Sequence, residues 1–173
     1  FKARPSDCLS FEILDGAPSL LILVGLGEPE GFDLLALRQA AAAVARAAAN
    51  ATALGLALPL EGQDPATAAA VISEAVRLSL FRDQRFRSES EPGPSLAALT
   101  LIGLPESAVA AAASAAAICS GVDLARELVA APPNVATPDH LAGIARDLAS
   151  QHNLPLQVLD ADACAARGMG AFL

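Results

Sequence analysis

Short unbroken apolar runs alternate along this chain with longer stretches whose apolar positions recur at helical spacing. Residues 11–14 and 20–24 are apolar runs separated by Asp15-Gly16-Ala17-Pro18-Ser19, a turn composition, and predict two neighbouring strands compatible with a hairpin. Gly25-Leu26-Gly27-Glu28-Pro29-Glu30-Gly31 reads as a loop, and residues 32–49 as a helix that Asn50 ends. A buried strand follows over residues 52–58. Asp64-Pro65 then opens a helix as N-cap and first-turn proline, with Val71, Ile72, Ala75, Val76 and Leu80 on one face.

Residues 81–94 are polar and irregular, and residues 96–104 form another continuous apolar strand. Pro105 and Glu106 open a long helix reaching about residue 131, where Pro132-Pro133 stops it. Thr137-Pro138 caps the next helix, whose apolar stripe is Leu141, Ile144, Ala145 and Leu148. Residues 154–159 predict a last strand, and residues 161–167 a short helix ended by Gly168. Strands alternating with helices, and strands that are apolar throughout, predict an α/β fold with its sheet covered on both faces. The helix over residues 107–131 is too long for an ordinary crossover, so it is expected to link two structural units. No internal repeat is apparent.

Composition sharpens this picture. At 173 residues the chain has the length of about one domain on a prior of ~100–200 residues. Hydrophobic residues make up 54% and charged residues 17%, which excludes a disordered chain. Much of the apolar content is Ala, and Trp and Tyr are absent, so the core must be built from small side chains that suit close helix packing. The formal net charge of −8 disfavours double-helical nucleic acid and anionic membrane surfaces as partners. No segment reaches the ~18 strongly apolar residues expected of a membrane span: the longest candidate, residues 20–26, is strand-sized, and the helical run at 108–117 is alanine, too weakly apolar for one. Cys8, Cys119 and Cys164 are far apart with no paired spacing, the pattern of structural thiols in a reducing compartment. Phe1 opens no hydrophobic signal region and is read as an internal residue of a longer protein.

Candidate chemistry is sparse. Gly25, Gly27 and Gly31 follow a strand and precede a helix, as a phosphate-binding turn would. Glu28 and Glu30 would repel an anion there and Pro29 removes a donor, so a plain strand-to-helix turn is the expected reading. Arg77, Arg82, Arg85 and Arg87, interleaved with Phe81 and Phe86, are the one basic cluster. The acids Glu74, Asp83, Glu89 and Glu91 flank it, which favours a solvated or salt-bridged surface over a nucleic-acid contact; a subunit contact is the third reading. Asp139 and His140 are adjacent in a first helical turn and point in different directions, so they do not converge on an ion. Asp139 suits the helix dipole and His152 a helix end. The cysteines have no His at metal-like spacing, and Ser120-Gly121 lacks the frame of a nucleophile elbow. No catalytic, cofactor-binding or metal-ligating residue is expected within the chain.

From Leu21 onward the chain resembles the leucyl aminopeptidase (cytosol aminopeptidase) family. Leu21-Ile22-Leu23-Val24-Gly25-Leu26-Gly27 resembles a core strand and loop of that family, residues 33–46 its next helix, and residues 80–88 its basic-aromatic segment. More specific are Ala125-Arg126-Glu127-Leu128-Val129, Pro132-Pro133-Asn134, Thr137-Pro138 and Leu141-Ala142, then Leu156-Gln157-Val158-Leu159-Asp160 and Gly168-Met169-Gly170-Ala171-Phe172-Leu173. Ala130 departs from the pattern, since an Asn commonly precedes the Thr-Pro-Pro-Asn of that family.

The resemblance implies a macro-domain-like mixed sheet flanked by helices, a long linker helix, and the first α/β elements of a second domain. Residues 1–106 would be the N-terminal domain lacking its own beginning, 107–131 the connecting helix, and 132–173 the truncated start of the catalytic domain. It further implies a cytoplasmic, hexameric metallo-aminopeptidase that removes N-terminal residues from peptide substrates. Two divalent ions (Mn, Zn or Mg), held by Asp, Glu and Lys side chains beyond Leu173, would polarise the peptide carbonyl and activate a water. Asp139, Asp160 and Asp162 do not match those motifs, so the fragment itself would bind no metal, be inactive and serve assembly. The alternative reading is a macro-domain-like module for ADP-ribose or nucleic acid.

Overall fold

A computed structural model describes residues 1–60, 62–89 and 92–172. The chain divides into two compact units, Phe1–Glu127 and Leu128–Leu173. The first is built on two short sheets. Strand β1 (Cys8–Glu12) pairs antiparallel with β2 (Leu20–Val24), in a register running from Cys8 opposite Val24 to Glu12 opposite Leu20. The hairpin is as expected, but β1 begins and ends earlier than its apolar residues suggest. The ladder closes with the Ile13 N–H donating to Ser19 O at 2.8 Å, which leaves Leu14 in the turn and exposed.

The chain then passes through a 3-10 turn, Pro29–Gly31, into α1 (Leu34–Ala47). Asp33 caps α1 by accepting the Ala36 N–H at 2.8 Å, satisfying one of the orphan donors of the first turn. Strand β3 (Ala53–Leu56) follows, then α2 (Pro65–Ser79), then β4 (Ala98–Leu101) parallel to β3. A parallel pair cannot be joined by a tight turn, and α2 with its trailing loop supplies the crossover. The expected Asp64-Pro65 start is present, and Asp64 accepts both the N–H and the hydroxyl of Thr67 at 2.8 Å. These hydrogen bonds, the backbone one foremost, hold the Asp64 carboxyl below the ordinary carboxylate range.

Both β3 and β4 are shorter than their apolar runs. Leu58, Leu60 and Leu96 still pack against the core from segments that no longer pair in a ladder, so side-chain burial extends further than backbone pairing. The core lies between the two helices and one face of each sheet. Leu37 and Val44 of α1 meet Val71, Ile72 and Val76 of α2, with Leu54 and Leu56 of β3 beneath. Ala41, Ala45, Ala48, Ala68 and Ala75 occupy the intervening positions. Such small side chains let the helices approach closely, as the composition implied.

Covering of both sheet faces is not what β1 and β2 show. Ile22 and Val24 face the core, whereas the cross-strand pairs Leu9–Leu23 and Phe11–Leu21 share an exposed face.

After β4 a 3-10 turn, Glu106–Ala108, leads into α3 (Val109–Ala130). By length and composition alone the combined stretch Glu106–Ala130 is apolar enough to cross a bilayer, contrary to the sequence expectation. Its apolarity is mostly that of alanine methyls, and its second half carries Asp123, Arg126 and Glu127, all engaged in ion pairs. A single such helix is weak grounds for a membrane span, and the ion pairs favour a docked helix.

In the second unit, Pro132 O accepts the N–H groups of Val135 and Ala136 at 2.8 and 2.9 Å, turning the chain into α4 (Pro138–His152). Thr137 caps α4 through the His140 N–H at 3.3 Å. Asn153 adopts the left-handed conformation at its end (φ 51°), and the Leu154 N–H returns to Ala149 O at 2.9 Å. Leu141 and Leu148 of the expected apolar stripe are exposed.

The strand expected at residues 154–159 does not form. The segment has no ladder partner among the described residues, and Leu154, Leu156 and Val158 are exposed. Helix α5 (Ala161–Ala166) is capped by Asp160, which accepts the Ala163 N–H at 2.8 Å. Gly168, at φ +68°, closes it with Gly168 N–H to Ala165 O and Met169 N–H to Cys164 O, both at 3.0 Å. That left-handed position is one where glycine is favoured.

Candidate functional site

Two places in the first unit gather polar or special residues, and neither has the geometry of a reaction centre. At the glycine turn, the backbone of the N-terminal segment lies directly against Gly25. Ser6 N–H donates to Gly25 O at 2.9 Å, Gly25 N–H to Asp7 O at 2.8 Å and Gly27 N–H to Ala3 O at 3.3 Å. A Cβ at Gly25 would fall 2.2 Å from Arg4 O, and Gly27 sits at φ +81°. These glycines therefore admit the chain's own backbone, and their N–H groups are already spent. The turn is a packing device, as the acidic Glu28 and Glu30 led one to expect.

Arg77 and Arg85 of the basic cluster are salt-bridged, Arg85 to the adjacent Asp83 and both to residues of α3. Arg77, in the last turn of α2, reaches Ser120 Oγ at 3.1 Å and Asp123 Oδ2 at 3.5 Å. Arg126 donates to Leu78 O, in the last turn of α2, at 3.0 Å and lies 3.9 Å from Asp123 Oδ1. Its guanidinium stacks over the Phe81 ring at 5.3 Å. Arg85 grips Asp83 through two nitrogens at 2.9 and 2.8 Å, and its second terminal nitrogen also reaches Glu127 O at 2.6 Å. Glu127 Oε2 lies 3.5 Å from Arg85 as well.

The side-chain hydrogen bonds from Arg85, followed by its backbone N–H, hold the Asp83 carboxyl at about 2, and Asp83 in turn raises the Arg85 guanidinium. Beneath this network Cys119 is fully buried, and burial pushes its thiol up, with Glu74 adding to the effect.

The salt-bridged reading of the cluster thus holds, with two differences. Glu74 pairs with Arg38 of α1 at 3.0 Å rather than with the cluster. Glu91, counted among the flanking acids, and Leu173, last in the C-terminal match, lie outside the described residues. Sequence reasoning missed Ser120, Asp123, Arg126 and Glu127. The available signal was their recurrence every three or four residues on one face of an otherwise apolar helix.

Beside the cluster, α2, β4 and α3 border an open cleft of about 620 Å³, walled by Val76, Leu80, Leu99 and Ala112, with Arg77 and Asp123 at one side. On that side Arg77 pairs with Asp123 Oδ2 at 3.5 Å, while Asp123 Oδ1 is buried without a hydrogen-bond partner among the described residues. Asp139 and Asp162 lie in the first turns of α4 and α5, while Asp160 is spent as a cap. Among the described residues no three His, Cys, Asp or Glu side chains gather so as to hold a metal ion.

The architecture defines the class as a mixed α/β protein: two small sheets packed with helices in the first unit, and a second unit that is helical among the described residues. Residues 1–90 match the cytosol aminopeptidase family, N-terminal domain, and residues 123–173 match the cytosol aminopeptidase family, catalytic domain. The chain belongs to the cytosol aminopeptidase family.

Among curated relatives, the probable cytosol aminopeptidase of Synechococcus sp. (strain CC9605) is 49% identical over 174 residues, covering 100% of this chain and 36% of that protein. That of Parasynechococcus marenigrum (strain WH8102) is 50% identical, with the same coverage. Among solved structures, a mutant of tomato leucine aminopeptidase aligns with a TM-score of 0.83 at 29% identity, over 96% of this chain and 34% of that one. The bottromycin maturation enzyme BotP aligns with a TM-score of 0.76 at 30% identity, over 90% and 33%; it has also been solved in complex with Mn. The chain therefore spans about a third of the length of the relatives it matches.

Proposed function

We propose that this chain is the N-terminal third of a metal-dependent leucyl aminopeptidase, a cytoplasmic hydrolase that removes N-terminal residues from peptides. The observation that carries this reading is the tandem match, N-terminal domain first and catalytic domain second, on one continuous chain. Residues 1–106 serve as the N-terminal domain, 107–131 as the connecting helix and 132–173 as the opening of the catalytic domain. The two divalent ions, Mn, Zn or Mg, and their Asp, Glu and Lys ligands belong to the two-thirds of the relatives that this chain does not span. No residue of the chain is assigned a catalytic or metal-binding role, and its contribution is to fold, to position the catalytic domain and to support a homo-hexamer.

A chimera tests this reading directly. Residues 1–173 are joined to the remaining two-thirds of the Synechococcus protein, and hydrolysis of leucine p-nitroanilide is measured with Mn²⁺ present. The expected result is chelator-sensitive activity within about tenfold of the parent relative, a loss of no more than about 1.4 kcal/mol in transition-state stabilisation. A folded but inactive chimera beside an active parent would contradict the assignment.

A further inference from the structure

The packing of α3 is unusual in what it lacks. Along its 22 residues only Ala115 and Cys119 are buried, and the preceding turn adds Ala108. Side chains this small remove little apolar surface from water, so burial alone anchors the helix weakly. Polar contacts to the first unit instead concentrate in its second half. Arg77 reaches Ser120 and Asp123, Arg126 reaches Leu78 O, and Arg85, itself held by Asp83, reaches both the backbone and the side chain of Glu127. Three arginines thus fasten consecutive turns of one face of α3 to the end of α2 and the loop after it. Two are stacked on aromatic rings, Arg126 on Phe81 and Arg85 on Phe86, each at 5.3 Å.

We infer that these residues form an ionic clasp whose opening releases the second half of α3 while the core of the first unit stays folded. The clasp ends at Glu127, the last residue of the first unit. It stands whether or not the protein is an aminopeptidase. The contacts are half exposed, with 43% of the Arg85 side chain and 46% of the Arg77 side chain accessible. Salt therefore competes with them: raising ionic strength from about 0.1 M to about 1 M shrinks the screening length from about 10 Å to about 3 Å. The core of α1 and α2 is held mainly by Leu37, Val44, Ile72 and Val76, with one ion pair, Arg38–Glu74, between the two helices, so it is far less sensitive.

Hydrogen exchange read by mass spectrometry on the 173-residue chain separates the two behaviours. In the double variant R77A/R85A, amides of residues 119–127 should exchange about tenfold faster, while those of residues 40–45 in α1 change less than about twofold. In R85K the charge remains but the paired grip on Asp83 and the reach to Glu127 O are lost, so exchange over 119–127 should rise, though less. Should the double variant fail to fold, the unmodified chain at about 1 M salt gives the same reading, with faster exchange confined to residues 119–127. Unchanged exchange there in salt and in both variants would overturn the clasp, as would acceleration spread equally over α1 and α3.

Discussion

Truncating Leu37 to alanine probes the core claim most sharply. Leu37 is wholly buried on α1, where it meets the α2 face of Val71, Ile72 and Val76. Removing about three methylene-equivalents costs roughly 2.4 kcal/mol in transfer free energy at ~0.8 kcal/mol each. A residual cavity of roughly 50 Å³ adds about 1.2 kcal/mol at ~24 cal/mol per Å³. The cavity should persist, because the surrounding Ala41, Ala45, Ala68 and Ala75 have no rotamers with which to fill it. The expected loss is therefore about 3.5 kcal/mol, a large share of the 5–15 kcal/mol typical of a domain, taken roughly. Urea denaturation followed by circular dichroism reads it as a lower midpoint at unchanged slope. Leu35, two positions along and 58% exposed, is the control, with an expected cost within about 0.5 kcal/mol. A loss below about 1 kcal/mol for L37A, or equal losses for L37A and L35A, would refute this picture of the core.

Other outcomes follow from single contacts. Asp33→Ala removes the α1 cap and should cost about 1 kcal/mol, with Asp33→Asn nearly neutral, in the same denaturation assay. Asp83, held at about 2 in the folded chain, lies below its unfolded value of about 3.9. Its stabilising contribution is complete above about pH 4 and is lost as pH falls towards about 2, so the acid limb of an unfolding titration should flatten in D83N. Gly25→Ala places a methyl against Arg4 O and should free the Ala3–Ser6 segment while leaving the β1–β2 ladder protected in hydrogen exchange. Cys119 should resist thiol reagents until unfolding, whereas the exposed Cys8 reacts in the native chain, slowed because burial of its sulfur raises that thiol too.

What could be read from the chain itself was local chemistry. The Asp64-Pro65 and Thr137-Pro138 starts, the Gly168 stop and the hairpin turn are each set by a few adjacent residues, and each falls where expected. Strand limits were less legible because a ladder ends where its partner ends, which hydrophobicity does not report. Hence β1 is displaced towards Cys8, and residues 154–159 remain unpaired despite an apolar sequence. The arginine cluster could be read as salt-bridged, but its partners Asp123 and Glu127 lie about 40 residues away on another helix, beyond any local rule. Family membership came through the order of short motifs near Pro132-Pro133-Asn134.

The central claim is that this chain carries the framework of an aminopeptidase but not its chemistry. Hydrolysis of leucine p-nitroanilide by the purified 173-residue chain, with Mn²⁺, Zn²⁺ or Mg²⁺ supplied in turn, tests that claim most directly. The expected result is a rate indistinguishable from buffer with every metal. Saturable hydrolysis that a chelator abolishes and added metal restores would contradict it.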